Sequence, residues 1–165
     1  MGTRGREIVG MDVDQLLVFL KKAYADEWLA YYQYWIGAKL AKGPLRGDLV
    51  AEMEQHAQEE LNHALLLADR IIQLGGSPPL CPTDWSNESN CGYEAPENPV
   101  VYTLIDQNIR AEQCAIDVYN TIAGVTKDTD PMTYQIALQI LTDEIEHEED
   151  LQALKEDLTI LQTSE

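Results

Sequence analysis

The stretch "DEIEHEED", residues 143–150, places one histidine among six carboxylates. It is either a solvated acidic helix face or part of a metal site to which Glu144 and His147 point. A helix in a bundle buries positions that alternate three and four residues apart. Glu144 and His147 occupy such positions in a row of aliphatic residues that includes Ile140 and Leu151, whereas most of the other acids fall off the row. The sequence therefore predicts a solvated acidic face that contains one buried Glu-x-x-His pair.

Three other helical segments repeat this pattern, each with one carboxylate on an otherwise apolar or aromatic stripe. The segment "EELNH" supplies a second Glu-x-x-His pair. Positions i and i+3 lie on one face of a helical turn, so both side chains of a pair can reach one ion. The other two segments each contribute a single glutamate. The predicted ligands are Glu27, Glu60, His63, Glu112, Glu144 and His147.

Four carboxylates that converge in a core require a positive partner. Burying an unpaired carboxylate costs several kcal/mol or forces its protonation. None of the four stripes carries a lysine or an arginine. Two divalent metal ions balance four carboxylates, and carboxylates with one imidazole per ion suit Fe(II) or Mn(II), with Zn(II) also able to enter. One Glu-x-x-His pair arises easily by chance, whereas the complete constellation is specific.

The capping and helix-breaking residues predict four long helices. Asp12 or Asp14 caps the first, the Gly75-Gly76 pair ends the second, and a proline opens each of the last two. Four helices with one long connection describe an all-α four-helix bundle whose crossover joins helices two and three. We predict an N-terminal arm over residues 1–11, a bundle domain over 12–165, helices over about 12–42, 48–74, 99–124 and 131–162, and a long loop over 75–98.

Composition limits the partners of this domain. The chain has 165 residues, of which 45% are apolar, and a formal charge of −18. This charge repels phosphate backbones, so no nucleic-acid binding is expected, although "MGTRGR" is a weak basic arm. No stretch approaches the length of a membrane span, and the N-terminus lacks a secretion signal. We therefore expect a cytoplasmic protein without a membrane partner.

With these residues the chain resembles the ferritin-like di-iron superfamily, and the bacterioferritins in particular, from residue 12 onward. In "EWLAYYQYW", Glu27 matches the ligand of the first helix, and Tyr34 matches an auxiliary tyrosine near the di-iron site. "EELNHA", "AEQCAIDVYNTIA" and "DEIEHEEDL" match the other ligand segments. The resemblance implies a ferritin-like fold with two iron ions per subunit, oxidation of Fe(II), and storage of ferric iron in a protein shell.

Two departures from bacterioferritins refine this expectation. Bacterioferritins take a haem ligand from a methionine directly after the glutamate of the second helix, and here that position is Leu61. No haem is therefore expected. Bacterioferritins also carry a short fifth helix, whereas this sequence stops at Glu165, soon after the fourth. We expect a bundle without a fifth helix and a homo-oligomeric shell of twelve subunits rather than twenty-four.

The cysteines are similar to those of the Dps-like proteins called thioferritins, which join a bacterioferritin-type site to a cysteine pair. That resemblance implies a disulfide between Cys91 and Cys114, with Cys81 as an alternative partner, while a space-filling role for the cysteines stays open. It also implies a mini-ferritin ferroxidase that prefers hydrogen peroxide over dioxygen and protects against oxidative stress.

Other interpretations share many of these features. A rubrerythrin-like or manganese-catalase-like di-metal peroxidase would use the same bundle without storing iron, although the chain has no pair of Cys-x-x-Cys motifs for a rubredoxin iron. A purely structural bundle would bind no metal. His56 lies on the buried stripe one turn before Glu60, either as a third-iron ligand, as a hydrogen-bond partner of a ligand, or as a core histidine.

Overall fold

The structure, a computed structural model, describes residues 3–163, and its regular elements are helices. They are α1 (Arg4–Glu7), α2 (Val13–Leu40), α3 (Arg46–Gln73), α4 (Pro82–Glu88), α5 (Val101–Thr126) and α6 (Pro131–Thr163). Helix α2 packs along α3 and α5 along α6, and contacts between the two pairs complete the bundle. The predicted all-α four-helix bundle with one crossover is confirmed. Among the described helices, none has the length and apolar character needed to span a bilayer.

The two short helices were not predicted. Helix α1 lies in the predicted arm, of which residues 1 and 2 fall outside the described range, as do residues 164 and 165 of the predicted bundle. Helix α4 lies within the stretch predicted as a long loop, where Trp85 stacks on Trp28 of α2 with ring centroids 5.0 Å apart. Seven residues span only about two helical turns, so they leave little periodicity in the sequence.

Helix α5 begins at Val101, two residues later than predicted. Backbone hydrogen bonds with Lys42, which follows α2, hold the residues before this start in an extended conformation. The Lys42 N–H donates to the Pro99 carbonyl over 2.9 Å, and the Val101 N–H donates to the Lys42 carbonyl over 2.8 Å. The side chain of Asn98 donates to the Thr103 hydroxyl in the first turn of the helix. At α2 the choice left open by the sequence resolves to Asp12, whose carboxylate accepts from the first turn.

Two apolar clusters fill the bundle on either side of a polar layer. One contains buried residues of all four long helices around Leu20, Ile71, Tyr119 and Ile140. The other lies around Tyr34, Met53, Leu104 and Leu151. The predicted metal ligands lie between them along the helices. The apolar clusters therefore provide the folding energy, while the layer between them holds charged groups.

A buried ion pair connects α3 to the start of α6. The Arg70 guanidinium donates to Asp130 over 2.7 Å, and both side chains are buried. The Thr133 hydroxyl also donates to this carboxylate. Burial opposes ionisation, but hydrogen bonds from Thr133 and Arg70 outweigh it and hold the pKa of Asp130 below its usual range. The ionised form of Asp130 is therefore stabilised by folding.

We expect Asp130→Ala to lower the free energy of unfolding by about 3–5 kcal/mol, because it leaves Arg70 buried without its partner. Asp128→Ala, at an exposed position, is the control and should change it by less than about 0.5 kcal/mol. The pKa of Asp130 is lower in the folded chain, so its contribution is complete above the unfolded pKa and is lost as the pH falls. In urea unfolding, the stabilities of the wild type and Asp130→Ala should converge below about pH 4. A stability difference that does not change with pH would contradict this.

Candidate metal centre

All six predicted ligands meet in the polar layer, and each is at most 2% exposed. Helix α2 contributes one glutamate and α5 another, while α3 and α6 each contribute a Glu-x-x-His pair. The 3.6-residue period brings each of these side chains to the inner face of its helix. The six residues are Glu27, Glu60, His63, Glu112, Glu144 and His147.

The first group of ligand atoms surrounds the Nδ1 atom of His63. This nitrogen lies 3.4 Å from Glu27 Oε2 and 3.4 Å from Glu60 Oε2. It lies 3.2 Å from Glu144 Oε1. One imidazole nitrogen and three carboxylate oxygens thus converge on one point, and their atoms lie within 4.8 Å of one another.

The second group repeats this arrangement around the Nδ1 atom of His147. This nitrogen lies 3.5 Å from Glu60 Oε1 and 3.8 Å from Glu112 Oε2. It lies 3.5 Å from Glu144 Oε2. Glu60 and Glu144 therefore offer one oxygen to each group, which is the geometry of a carboxylate that bridges two ions.

Several of these atoms have no hydrogen-bond partner although they are fully buried. They include both oxygens of Glu144, Glu60 Oε1, Glu27 Oε2 and the Nδ1 atom of His147. Buried polar atoms are normally paired, because an unmade hydrogen bond costs about 1–3 kcal/mol. Two cations placed between the groups would satisfy these atoms. The residues present therefore fit a pair of divalent metal ions.

The glutamates and histidines of the site shift one another's pKa values. Burial, and then the charge of Glu60, raises the pKa of Glu27 well above its usual range, and burial and Glu144 do the same for Glu112. Burial disfavours protonated His63 and His147, but the glutamates close to each ring favour the protonated form more strongly and raise the pKa of both. The site is thus an acidic pocket that takes up positive charge.

The outer nitrogen of each ligand histidine contacts a carboxylate that was not predicted to belong to the site. His63 Nε2 lies 3.0 Å from Asp143, and His147 Nε2 lies 2.8 Å from Glu59. A carboxylate at Nε2 holds the proton there and leaves the Nδ1 lone pair for a metal. Asp143 and Glu59 each directly precede a bridging glutamate, and this shared position was a signal in the sequence.

A tyrosine from the opposite helix pair holds each of the two single glutamates. The Tyr34 hydroxyl of α2 donates to Glu112, and the Tyr119 hydroxyl of α5 donates to Glu27. Burial, and then the adjacent carboxylate, raises the pKa of both tyrosines, so both remain neutral donors. Tyr34 was expected near the site, whereas Tyr119 was not identified from the sequence. Each tyrosine lies seven residues after a single glutamate, and that repeat identifies Tyr119.

The structure joins Cys91 of the crossover to Cys114 of α5 in a disulfide, and leaves Cys81 free and exposed. The backbone N–H groups of Asn90 and Cys91 each donate to Asp26 of α2 over 2.8 Å. Asp26, directly before a ligand, was not identified from the sequence. These contacts fasten the crossover against the polar layer.

A cavity of about 30 Å³ separates the crossover from the metal ligands. Glu27, Glu60, Glu112 and Glu144 line its inner side, and the backbone around Cys91 lines the outer side. This volume accommodates roughly two or three water-sized molecules. The site is therefore open to ions and small oxidants rather than to organic substrates.

His56 lies next to the six ligands but belongs to neither the His63 group nor the His147 group. Its ring stacks on that of His147, with centroids 4.0 Å apart, and contacts the edge of Tyr34. Burial, and then the charge on His147, lowers the pKa of His56 to about 3. Leu61 is half-buried on α3, and the absence of haem at that position stays a prediction.

Comparison with known proteins agrees with this geometry. The ferritin-like domain family matches residues 18–161. The chain belongs to the ferritin-like family. The bacterioferritin-related protein from Bacteroides fragilis, described as a dodecameric thioferritin, is 42% identical and superposes with a TM-score of 0.97 over 99% of this chain and 98% of that chain.

Two further relatives extend the comparison. The DNA protection during starvation protein of Pyrococcus furiosus is 39% identical over 144 residues, which cover 86% of this chain and 77% of the relative. Dps from Thermosynechococcus elongatus is 22% identical, with a TM-score of 0.81 over 86% of this chain and 90% of its own, and supports the fold alone. Ferritin-like proteins bind iron and generally have ferroxidase activity, and Dps-like members serve in iron storage and protection from oxidative stress.

We expect Asp143→Ala to weaken binding of Zn(II) at the His63 group by about 10–100-fold, because the ring loses the partner that orients it. Glu146→Ala, an exposed acid on the same helix, is the matched control and should leave affinity unchanged. Competition with a chromophoric chelator measures both. Equal affinities in the two variants would show that Asp143 does not position the ligand.

Proposed function

We propose that this protein is a mini-ferritin ferroxidase that oxidises Fe(II) and stores the ferric product within a protein shell. The observation that carries the proposal is the pair of ligand groups that share Glu60 and Glu144. Each group offers three carboxylate oxygens and one imidazole nitrogen, a set that suits Fe(II) and also admits Mn(II) or Zn(II). Two Fe(II) ions bound side by side can each deliver one electron to one oxidant.

The proposed reaction has a simple balance with hydrogen peroxide. Peroxide accepts two electrons, one from each Fe(II), its O–O bond breaks, and two protons complete two water molecules. Both electrons go to one peroxide molecule, so no hydroxyl radical is released. The chain supplies the ligand oxygens, the two Nδ1 lone pairs held in place by Asp143 and Glu59, and the neutral tyrosines that fix Glu27 and Glu112.

Hydrogen peroxide is the proposed preferred oxidant, with dioxygen reacting more slowly. The cavity beside the ligands supports a small oxidant, since its volume is about 30 Å³. The choice of peroxide follows the resemblance of the cysteine pair and the ligand set to those of thioferritins, and one protein described as a thioferritin is 42% identical to this chain. We accordingly propose protection against oxidative stress as the biological outcome, through simultaneous removal of Fe(II) and peroxide.

A homo-oligomeric shell of twelve subunits is proposed for storage. The support is the relative from Bacteroides fragilis, which is described as dodecameric and matches this chain along nearly its whole length. An exposed aromatic patch lies on α2 and the crossover. The ring centroid of Tyr32 is 6.0 Å from that of Trp35 and 6.0 Å from that of Tyr93. Such a patch is typical of a subunit contact.

The first experiment is an anaerobic Fe(II) titration of the protein followed by a pulse of hydrogen peroxide. We expect rapid appearance of ferric absorbance at two irons per chain and continued uptake into a large particle. Binding of two ions without further uptake would indicate a rubrerythrin-like or manganese-catalase-like peroxidase instead. No specific binding would leave a structural bundle and overturn the proposal.

Two glutamine variants on one helix test the role of the bridging carboxylates. Glu144→Gln replaces one oxygen of the carboxylate shared by both groups with an NH2 group and removes its charge. We expect it to slow peroxide-driven oxidation of Fe(II) by at least about 100-fold. Glu146→Gln makes the same chemical change at an exposed position two residues away and should keep the wild-type rate. Stopped-flow absorbance measures both rates, and similar rates would contradict the assignment. Circular dichroism should show both variants folded, because Glu144→Gln also removes repulsion from the core.

We expect no retardation of duplex DNA in a gel-shift assay, even at low salt, although one relative is named for DNA protection. The net charge of −18 opposes binding to phosphates. The arginines of α1 already pair with acids of the chain, Arg4 with Glu7 and Arg6 with Asp14. A salt-sensitive shift would show direct coating of DNA instead of chemical protection.

A further inference from the structure

A third group of possible metal ligands lies beside the six already described. It consists of Glu52 and His56 on α3 and Asp150 on α6, and is called the Glu52 cluster below. His56 Nε2 lies 3.7 Å from Asp150 Oδ2 and 3.9 Å from Glu52 Oε2. The two carboxylates are about one-third exposed, whereas the histidine is fully buried. The cluster thus opens to solvent on one side and ends at a buried nitrogen on the other.

His56 has an unusual lack of partners for a buried histidine. Neither ring nitrogen makes a hydrogen bond within the described residues. Most buried polar side chains are hydrogen-bonded, so an unpaired imidazole calls for a specific explanation. Its Nε2 atom faces the two carboxylates at distances too long for hydrogen bonds. A core histidine with only a packing role would be expected to have at least one polar partner.

The carboxylates of the cluster also have no cationic partner. Among residues 3–163, neither Glu52 nor Asp150 forms an ion pair with lysine or arginine. Partial burial, and then the charges of Asp150 and Glu59, raises the pKa of Glu52. Like charges held close together without a counter-charge favour the binding of a cation.

Helices α3 and α6 each carry one Glu-x-x-His pair, so positions around the two pairs can be compared. The comparison shows that the two ligand groups do not require the Glu52 cluster. Relative to the Glu-x-x-His pair of α6, the positions that correspond to Glu52 and His56 are Ile136 and Ile140. Relative to the pair of α3, the position that corresponds to Asp150 is Leu66. The equivalent end of the other ligand group is therefore apolar, so a ligand group forms without such a cluster beside it.

We infer that Glu52, His56 and Asp150 form a third, mononuclear site for a divalent transition-metal ion such as Fe(II), Co(II) or Zn(II). One imidazole and two carboxylates suit these ions better than Mg²⁺ or Ca²⁺, which prefer oxygen ligands throughout. Ligands of a tetrahedral ion at about 2.1 Å lie about 3.4 Å from one another. Small side-chain movements bring the observed separations to that value, and the exposed side leaves a position for water.

This ion would lie next to the di-metal centre, because the rings of His56 and His147 stack with centroids 4.0 Å apart. The exposed carboxylates connect this position to solvent. The site is thus placed to hold an incoming ion beside the pair of ligand groups. Occupancy of this site does not depend on the proposed oxidation, so the two ideas fail separately.

The test is equilibrium dialysis of Co(II) against the full chain in the presence of excess Mg²⁺, which suppresses binding to scattered surface acids. We expect three Co(II) ions per chain for the wild type and two for His56→Phe, which keeps an aromatic ring but removes both nitrogens. Glu52→Gln with Asp150→Asn should also bind two, and this variant changes only partly exposed side chains if the first one fails to fold. Glu146→Gln with Glu149→Gln removes the same charge at exposed positions and should bind three.

Anomalous diffraction from cobalt-soaked crystals locates the ions. A peak between Glu52, His56 and Asp150, absent from His56→Phe, would establish the site even if the protein lacked ferroxidase activity. Two ions in the wild type with no peak at this position would overturn the inference. A third ion that persists in both the His56→Phe and the double variant would also overturn it.

Discussion

The bundle is organised around the repulsion of four carboxylates held in its interior without a lysine or arginine among them. Burying such a layer costs free energy, which packing elsewhere in the bundle must offset. The negative charge of the layer must also be neutralised by groups inside it. Apolar clusters above and below supply the packing. Imidazolium groups, tyrosine hydroxyls or bound cations supply the neutralisation. The acidity of the site and its fit to divalent cations thus have a common physical origin.

The ligand layer is nearly two-fold symmetric, and the sequence carries the same symmetry. The spacing of Glu27 from Tyr34 equals that of Glu112 from Tyr119, and each tyrosine crosses to the opposite glutamate. Both Glu-x-x-His pairs are preceded by an acid that contacts a histidine Nε2 atom. Two equivalent groups of possible ligand atoms follow from two equivalent helix pairs, which suits the proposed reaction, in which each of two ions gives up one electron.

The periodicity of the sequence predicted the long helices and the burial of the six candidate ligands, because a helix determines which side chains share a face. It did not predict partners that depend on packing between helices. Asp143 lies off the buried stripe of α6, yet α3 brings His63 within 3.0 Å of it. Tyr119 was not identified as part of the site, since its apolar ring is buried and only its hydroxyl reaches Glu27. The observed start of α5 differs from the predicted one because a backbone contact with Lys42, which is distant in sequence, determines where the helix begins.

The crossover is the part of the chain whose role is least evident from its sequence, yet it closes the site. It is attached to α2 through Asp26, which accepts two backbone N–H groups, and through Gln33, whose side-chain oxygen accepts the Glu94 N–H over 2.9 Å. The Cys91–Cys114 disulfide attaches it to α5. A cross-link reduces the freedom of the unfolded chain and holds the connected backbone near one position. Because this backbone lines the cavity next to the four glutamates, the same contacts that order the crossover also limit which molecules reach the metal ligands.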